Sequence, residues 1–375
     1  QHLASSLRPP LFPLLLGIAS HLPGLPQDVA LVVLHIILGA FVLTTALLGM
    51  RGVIHPPLTI VATGVALYSA KQVAWGVMSE WLAMVWLFFA CTAYLTWLCR
   101  PSSKLALSVS LCASLAILTR TALLPWLAIP LFMMLQAQRG RYRVTATALV
   151  TGLLPLLLWG AINFSRTGTF AIVPYEGLNL VATARTLGAV PSDYRDSDEQ
   201  QRLVTAINAQ GITAPDSALA PMEVHRWDGG FYRAFHTNFD KVTGVMQSLP
   251  NATTARPTSI AARGLTAHSD RYRLFLRGGV HTLATQYLPL VALCSIAALW
   301  LWRRAPHHAR WSLGVITIAA VTLGYLCIIF TSMLWLHRYF IPVQAILLFC
   351  LVVSGVRLVG TFVVEGGHCS GDRPG

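Results

Sequence analysis

The sequence predicts an all-α polytopic membrane protein of about nine transmembrane helices, with a small mixed segment of helix and strand on the outer side. Three observations carry that reading. Of 375 residues, 55% are hydrophobic and only 11% are charged, whereas a soluble domain holds about 25% charged residues. Mean hydropathy is +0.62, and apolar runs recur near the ~20 residues that a membrane helix needs. The bases outside one long polar stretch gather in alternate short connections between those runs. This composition excludes an ordinary soluble domain, a disordered chain, a disulfide scaffold and a coiled coil.

The apolar runs place helices at 29–49, 56–75, 77–99, 105–119, 121–135, 144–162, 282–302, 311–333 and 339–361. The fourth and fifth are short enough to form a re-entrant pair. The chain starts at Gln1 without a Met or a signal-peptide n-region, so a further N-terminal portion is expected ahead of it. Three parts follow: N-terminal membrane helices (1–162), an outer polar segment (163–281), and C-terminal membrane helices with a short tail (282–375). The polar segment holds 12 Lys/Arg and 10 acids, a net +2, while the rest holds 15 Lys/Arg against 4 acids. Arg51, then Arg100 and Lys104, then Arg139, Arg141 and Arg143, then Arg303, Arg304 and Arg310 fill alternate connections. By the positive-inside rule these connections face the cytoplasm, and 163–281 lies outside. The expected location is a bacterial inner (plasma) membrane. The formal charge of +13 therefore implies contact with membrane lipids and no nucleic-acid partner.

Within the polar segment, Thr169–Val173 has the alternation and branching of a strand, with a turn at Pro174. Residues 196–210 and 222–248 have apolar positions at helical spacing, including Phe231, Phe235 and Phe239, which suit a core better than a sugar platform. Residues 249–268 lack periodicity and read as a flexible linker. Residues 270–281 read as an interfacial amphipathic helix, in which Tyr272, Phe275 and Leu276 interleave with arginines ahead of His281. Cys91, Cys99, Cys112, Cys294, Cys327 and Cys350 fall in apolar helices as small hydrophobes, Cys369 falls in the tail, and no ligand spacing joins them. Asn163 and Asn251 open Asn-x-Ser/Thr triplets, a pattern that also arises by chance.

Ionisable residues within apolar spans cost about 2.5–3.5 kcal/mol each near the bilayer centre and so mark function. Lys71, Glu80, Arg120 and Arg338 all fall at outer ends of spans in this topology, against the positive-inside preference. Each base taken singly also fits snorkelling to the interface, and Glu80 fits a simple partner of Lys71. Together the four predict a polar pocket at the outer leaflet. Cations near one carboxylate can hold a lipid-linked phosphate, and the carboxylate can orient a hydroxyl, bind a divalent metal ion or assist deprotonation. His337 beside Arg338, and Tyr175 with Glu176 after the predicted strand, are further candidates for substrate contact. A hydrogen-bonded interface histidine is the plainer reading of His337.

Several short motifs resemble, in order, those of bacterial polyprenyl-phosphate-dependent membrane glycosyltransferases of the mannosyltransferase and aminoarabinose-transferase type. They are SLRPPLFPLLL at Ser6–Leu16, Ser79–Glu80 opening an apolar span, and Leu118–Thr119–Arg120 before a run of leucines. Asn163 then precedes the large segment, Gly177–Leu180 follows the predicted strand, and His337–Arg338–Tyr339 with Pro342 opens the last span. The resemblance implies an inverting transferase of the cell envelope, working on the outer face. It implies a sugar carried on polyprenyl phosphate and an acceptor that is a lipid, a glycan or a protein. It places a supporting acid at Glu80 and phosphate-binding arginines at Arg120 and Arg338; Lys71 joins them from the charge argument alone. Tyr339 is carried as a substrate contact. The family's general base lies ahead of the RPP stretch, so the expected N-terminal portion would supply it; Asp28 comes too late to match. Ile162 stands where the family often has arginine.

A transporter or lipid flippase with an anion pocket is the alternative, which calls for paired repeats and broken helices at the midplane. A non-catalytic membrane scaffold is the third reading. The topology is open to direct measurement. In a cysteine-free background, Ser217→Cys should react with an impermeant thiol reagent on intact cells, and labelling only after lysis would overturn the orientation.

Overall fold

The computed structural model describes residues 10–21, 26–50, 53–71, 79–137, 142–167, 170, 172, 178–194, 205, 212–219, 229–248, 257–332 and 337–368. They form helices α1 (Leu11–Ser20), α2 (Gln27–Gly49), α3 (Pro56–Ser69), α4 (Ser79–Cys99) and α5 (Ser103–Thr119). A 3₁₀ stretch, Thr121–Leu127, leads into α6 (Ala128–Gln136), followed by α7 (Tyr142–Thr167) and α8 (Leu178–Thr186). Then come α9 (Gly230–Ser248), α10 (Pro257–Ala267), α11 (Ser269–Thr282), α12 (Leu288–Arg304), α13 (Ala309–Ser332) and α14 (His337–His368).

Among the described residues six helices are long and apolar enough to cross a membrane: Val29–Leu48, Ser79–Cys99, Tyr142–Ser165, Ser269–Arg304, Pro306–Ile329 and Phe340–Val359. The protein is thus a polytopic all-α membrane protein, and the expected nine spans are corrected to six. The three that fall short do so for local reasons. Helix α3 starts on Pro56 and Pro57 and has 14 residues, about 21 Å at 1.5 Å per residue against a hydrocarbon core of ~30 Å. Helix α5 has 17 residues and ends where Arg120 turns extended (φ −150°, ψ 113°). The following apolar run starts as a 3₁₀ turn containing Pro125, so only nine residues of it are α-helical.

The expected strand is also corrected: no strand occurs among the described residues. Thr169, Ala171 and Val173 lie outside them, and Phe170 and Ile172 are irregular. The Ile172 carbonyl instead accepts from Trp159 Nε1 at 2.9 Å and Asn163 Nδ2 at 3.1 Å. A lone five-residue strand has no ladder to satisfy its backbone, and side chains of α7 serve that carbonyl here. The expected linker is partly helix as well, since α10 occupies Pro257–Ala267. The predicted amphipathic helix is α11, continuous with α12 through a π-helical turn at Leu283–Tyr287.

The chain divides into two compact units. The first comprises Pro9–Leu156, Leu288–Tyr325 and Phe340–Gly375. Its centre is α4, which contains no Gly or Pro and buries residues on all sides, among them Met84, Leu87, Phe88 and Tyr94. Phe88 meets Phe349 edge-on at 5.1 Å. Tyr94 donates its hydroxyl to Gln136 Oε1 at 3.1 Å, and Thr92 and Thr96 return their hydroxyls to carbonyls one turn back. Such pairing satisfies hydroxyls that an apolar setting would otherwise leave without a partner.

The second unit comprises Gln1–Arg8, Leu157–Tyr287 and Leu326–Tyr339. Helices α9 and α10 pack on α8, with Phe231, Phe235 and Phe275 buried. Buried Asn238 binds the backbone of Ile212 at both ends of its amide, accepting from N at 2.9 Å and donating to O at 2.6 Å. It also donates to Thr186 Oγ1 at 2.9 Å. Helix α8 stops at Gly188 (φ +112°), where Ala189 N closes back on Ala184 O at 3.0 Å, a glycine-dependent terminus.

In the first unit α7 approaches α5 at Gly152. A Cβ there would stand 2.2 Å from Ser110 Cβ and 2.7 Å from the backbone of Leu111. Gly152→Ala is expected to lower stability by about 1–3 kcal/mol, the usual cost of overpacking. Gly17→Ala, where a Cβ meets nothing within 4 Å, is the control. Equal thermal unfolding of the two variants in detergent would overturn the close crossing.

Candidate functional site

Helix α4 opens with Ser79 and Glu80, and Glu80 is only 2% exposed. A helix N-terminus favours a carboxylate, but burial there demands a counter-charge from elsewhere. It comes from the end of α5. Arg120 Nη1 lies 2.6 Å from Glu80 Oε1 and donates to Ser79 Oγ at 3.0 Å. Ser79 Oγ in turn donates to Glu80 Oε2 at 3.2 Å. The three side chains close a triangle.

The packing of α4 against α5 explains the meeting. The two helices are joined through residues 100–102, so their far ends return to the same level. Glu80 precedes Arg100 by 20 residues and Arg120 follows it by 20. Equal arms of an antiparallel helix pair bring those two positions together. Arg120 can reach back because its own backbone has left the helix for an extended conformation.

Lys71, expected to neighbour Glu80, makes a different contact. It is exposed, donates to Tyr68 Oη at 2.9 Å and sits 4.0 Å over the Tyr68 ring. The local i,i+3 contact suits a cation at an interface. His337, Arg338 and Tyr339 form the first turn of α14, with their side chains outside those described. Tyr175 and Glu176 lie outside the described residues. Among the described residues no three His, Cys, Asp or Glu side chains converge as a metal site, so a divalent cation at Glu80 would draw on Ser79 and on groups beyond that set.

Two residues that the sequence reading passed over lie beside this site. His35 is 4% exposed within α2, and its Nδ1 contacts Leu31 O at 2.6 Å. Its ring stacks on Trp81 with centroids 6.2 Å apart, and Trp81 directly follows Glu80. His35 Nε2 and Trp81 Nε1 are both buried without a hydrogen-bond partner among the described residues. A histidine inside the apolar run 29–49 was the available signal, since ionisable groups in spans are rare.

Fold and site together define a polytopic all-α membrane protein with a buried, serine-bridged ion pair at one end of its central helix. No known protein family, curated protein or solved structure matches the chain.

The triangle predicts energetic coupling. In a double-mutant cycle of Glu80→Gln and Arg120→Gln, each single change should destabilise more than its share of the double change. The expected coupling is about 1–3 kcal/mol, within the range for residues in direct contact. Additive losses in thermal or denaturant unfolding would mean that the pair contributes nothing beyond its separate groups.

Proposed function

We propose that this protein transfers a glycosyl group from a polyprenyl-phosphate-linked sugar to an acceptor hydroxyl at the outer face of a bacterial inner membrane. The observation that carries the reading is the buried Glu80–Arg120 pair with Ser79 between its charges. A carboxylate and a guanidinium held at one end of an apolar helix offer the two groups that such a transfer uses. In the reaction the sugar–phosphate C–O bond breaks as the acceptor oxygen bonds to the anomeric carbon. The lipid phosphate departs with the bonding electrons, and the acceptor proton passes to a base.

Arg120 serves the phosphate in this reading, because a guanidinium fork matches phosphate geometry. It is 16% exposed, enough to meet a ligand from the boundary. Glu80 orients the acceptor hydroxyl or steadies Arg120 while the charge shifts. Lys71, in the same unit, adds positive charge on the donor side. The ordered motifs at Ser79–Glu80, Leu118–Arg120, Asn163 and His337–Tyr339 support the assignment.

The test separates donor binding from turnover. Arg120→Ala should weaken polyprenyl-phosphate binding by roughly ten- to a hundredfold, the equivalent of a 1.5–3 kcal/mol charge-assisted contact. Arg120→Lys should restore only part of it. Glu80→Gln should keep donor affinity while turnover falls by something like 10²–10⁴-fold. Unchanged lipid-phosphate affinity in folded Arg120→Ala, judged by a thermal scan, would overturn the donor assignment.

A further inference from the structure

We propose that the far end of α4 from Glu80, together with the α12–α13 connection and α14, forms a binding site for the phosphate headgroup of an anionic phospholipid. The centre of this site is Arg357, a half-buried guanidinium in the last span. Its Nη2 donates to the Val53 carbonyl, and its Nη1 donates to His308 Nδ1 at 3.4 Å. Its Cζ lies 4.4 Å over the ring of Trp311. Trp311 is itself pinned, with Nε1 donating to Ser354 Oγ at 3.2 Å. Every one of these contacts is to a neutral group. A charge held this way is oriented but not neutralised by the described residues, and a cation partly withdrawn from water favours an anion beside it.

The neighbours add charge of the same sign. Cys99, the last residue of α4, lies within the electrostatic reach of Arg357, Arg310 and Arg100 together. Arg303 and Arg304 end α12 two turns away in the chain and are exposed. Among the described side chains of this unit the only carboxylate is Glu80, at the opposite end of the 21-residue α4, about 30 Å away along its axis. Arg100, Arg310 and Arg357 come from three separate parts of the chain, so their meeting near Cys99 is a product of the fold.

Two features select a lipid headgroup over a soluble anion. Trp300 and Trp302 are 46% and 41% exposed at the end of α12, and Trp311 opens α13. Tryptophans at helix ends mark the headgroup level of a bilayer. Basic pockets between membrane helices at that level bind acidic headgroups. The cluster is independent of the glycosyl-transfer reading, since it shares no residue with the Glu80 site.

The experiment uses the full chain purified in detergent. Its thermal stability is followed during titration with phosphatidylglycerol, with phosphatidylcholine, and with inorganic phosphate. The expected result is stabilisation by phosphatidylglycerol alone. Arg310→Gln, an exposed position, should weaken the apparent phosphatidylglycerol affinity by about fivefold, as for loss of one basic residue at an anionic surface. Arg357→Gln should weaken it further. If Arg357→Gln fails to fold, Arg310→Gln decides alone. Arg233→Gln, an exposed base on α9, should leave the response unchanged. Equal stabilisation by phosphatidylcholine, equal stabilisation by inorganic phosphate, an unchanged response in Arg310→Gln, or an equal loss in Arg233→Gln would each overturn the proposal.

Discussion

A carboxylate buried at the start of an apolar helix must be neutralised from outside that helix, and the rest of the first unit is arranged around how this is done. Glu80 meets Arg120 at 2.6 Å, and Ser79 takes one hydrogen bond from the guanidinium while giving one to the carboxylate. The pair ties the start of α4 to the end of α5. Because α4 is the element buried on all sides, what holds its first turn also sets the level of the helices packed against it. Breaking a buried pair strands a charge and costs more than the pair contributes net. The arrangement is therefore demanding, and it places the two ionic groups at one defined depth.

The two ends of α4 are chemically opposite. One carries a carboxylate whose charge is met within the protein. The other carries Arg357 oriented by neutral groups, with Trp311 beneath it and the Val53 carbonyl beside it. An apolar slab between them leaves water and lipid headgroups at the ends to compensate the imbalance. In the second unit polar pairing does a different task. Asn238 holds the Ile212 backbone as a strand neighbour would, and Arg271 reaches both Asp216 and the Ala214 carbonyl. His268 Nε2 sits 3.0 Å from Asp193 Oδ2. Side chains thus replace the absent ladder in organising extended backbone.

Much of this was legible in residue order. The helical, membrane-spanning class followed from hydropathy and from the scarcity of charge, and the unusual placement of Glu80 and Arg120 was visible as ionisable groups where bilayers penalise them. The excess of spans came from counting apolar runs without the helix breakers inside them: Pro125 and the extended Arg120 interrupt one such run. Alternation over Thr169–Val173 suggested a strand because period-two patterning says nothing of whether a partner strand exists. The lack of periodicity in 249–268 hid α10, whose role is packing against α8. Lys71 and Glu80 both fall at outer ends of the expected spans, yet the contact that Lys71 makes is to Tyr68, three residues back.

The class is written in residue order: composition and run length dictate apolar helices, because a helix satisfies its own backbone groups within one segment in lipid. Residue order also determined which residues would be costly to bury. Which of them meet is a matter of packing. Glu80 selects Arg120 because two helices of equal reach fold back on residues 100–102, and Arg357, Arg310 and Arg100 come from three separate segments to the neighbourhood of Cys99. Partner choice depends on the distance between chain segments after packing, which falls with helix register and crossing rather than with separation in sequence, and residue order carries that distance only where a symmetric hairpin writes it in.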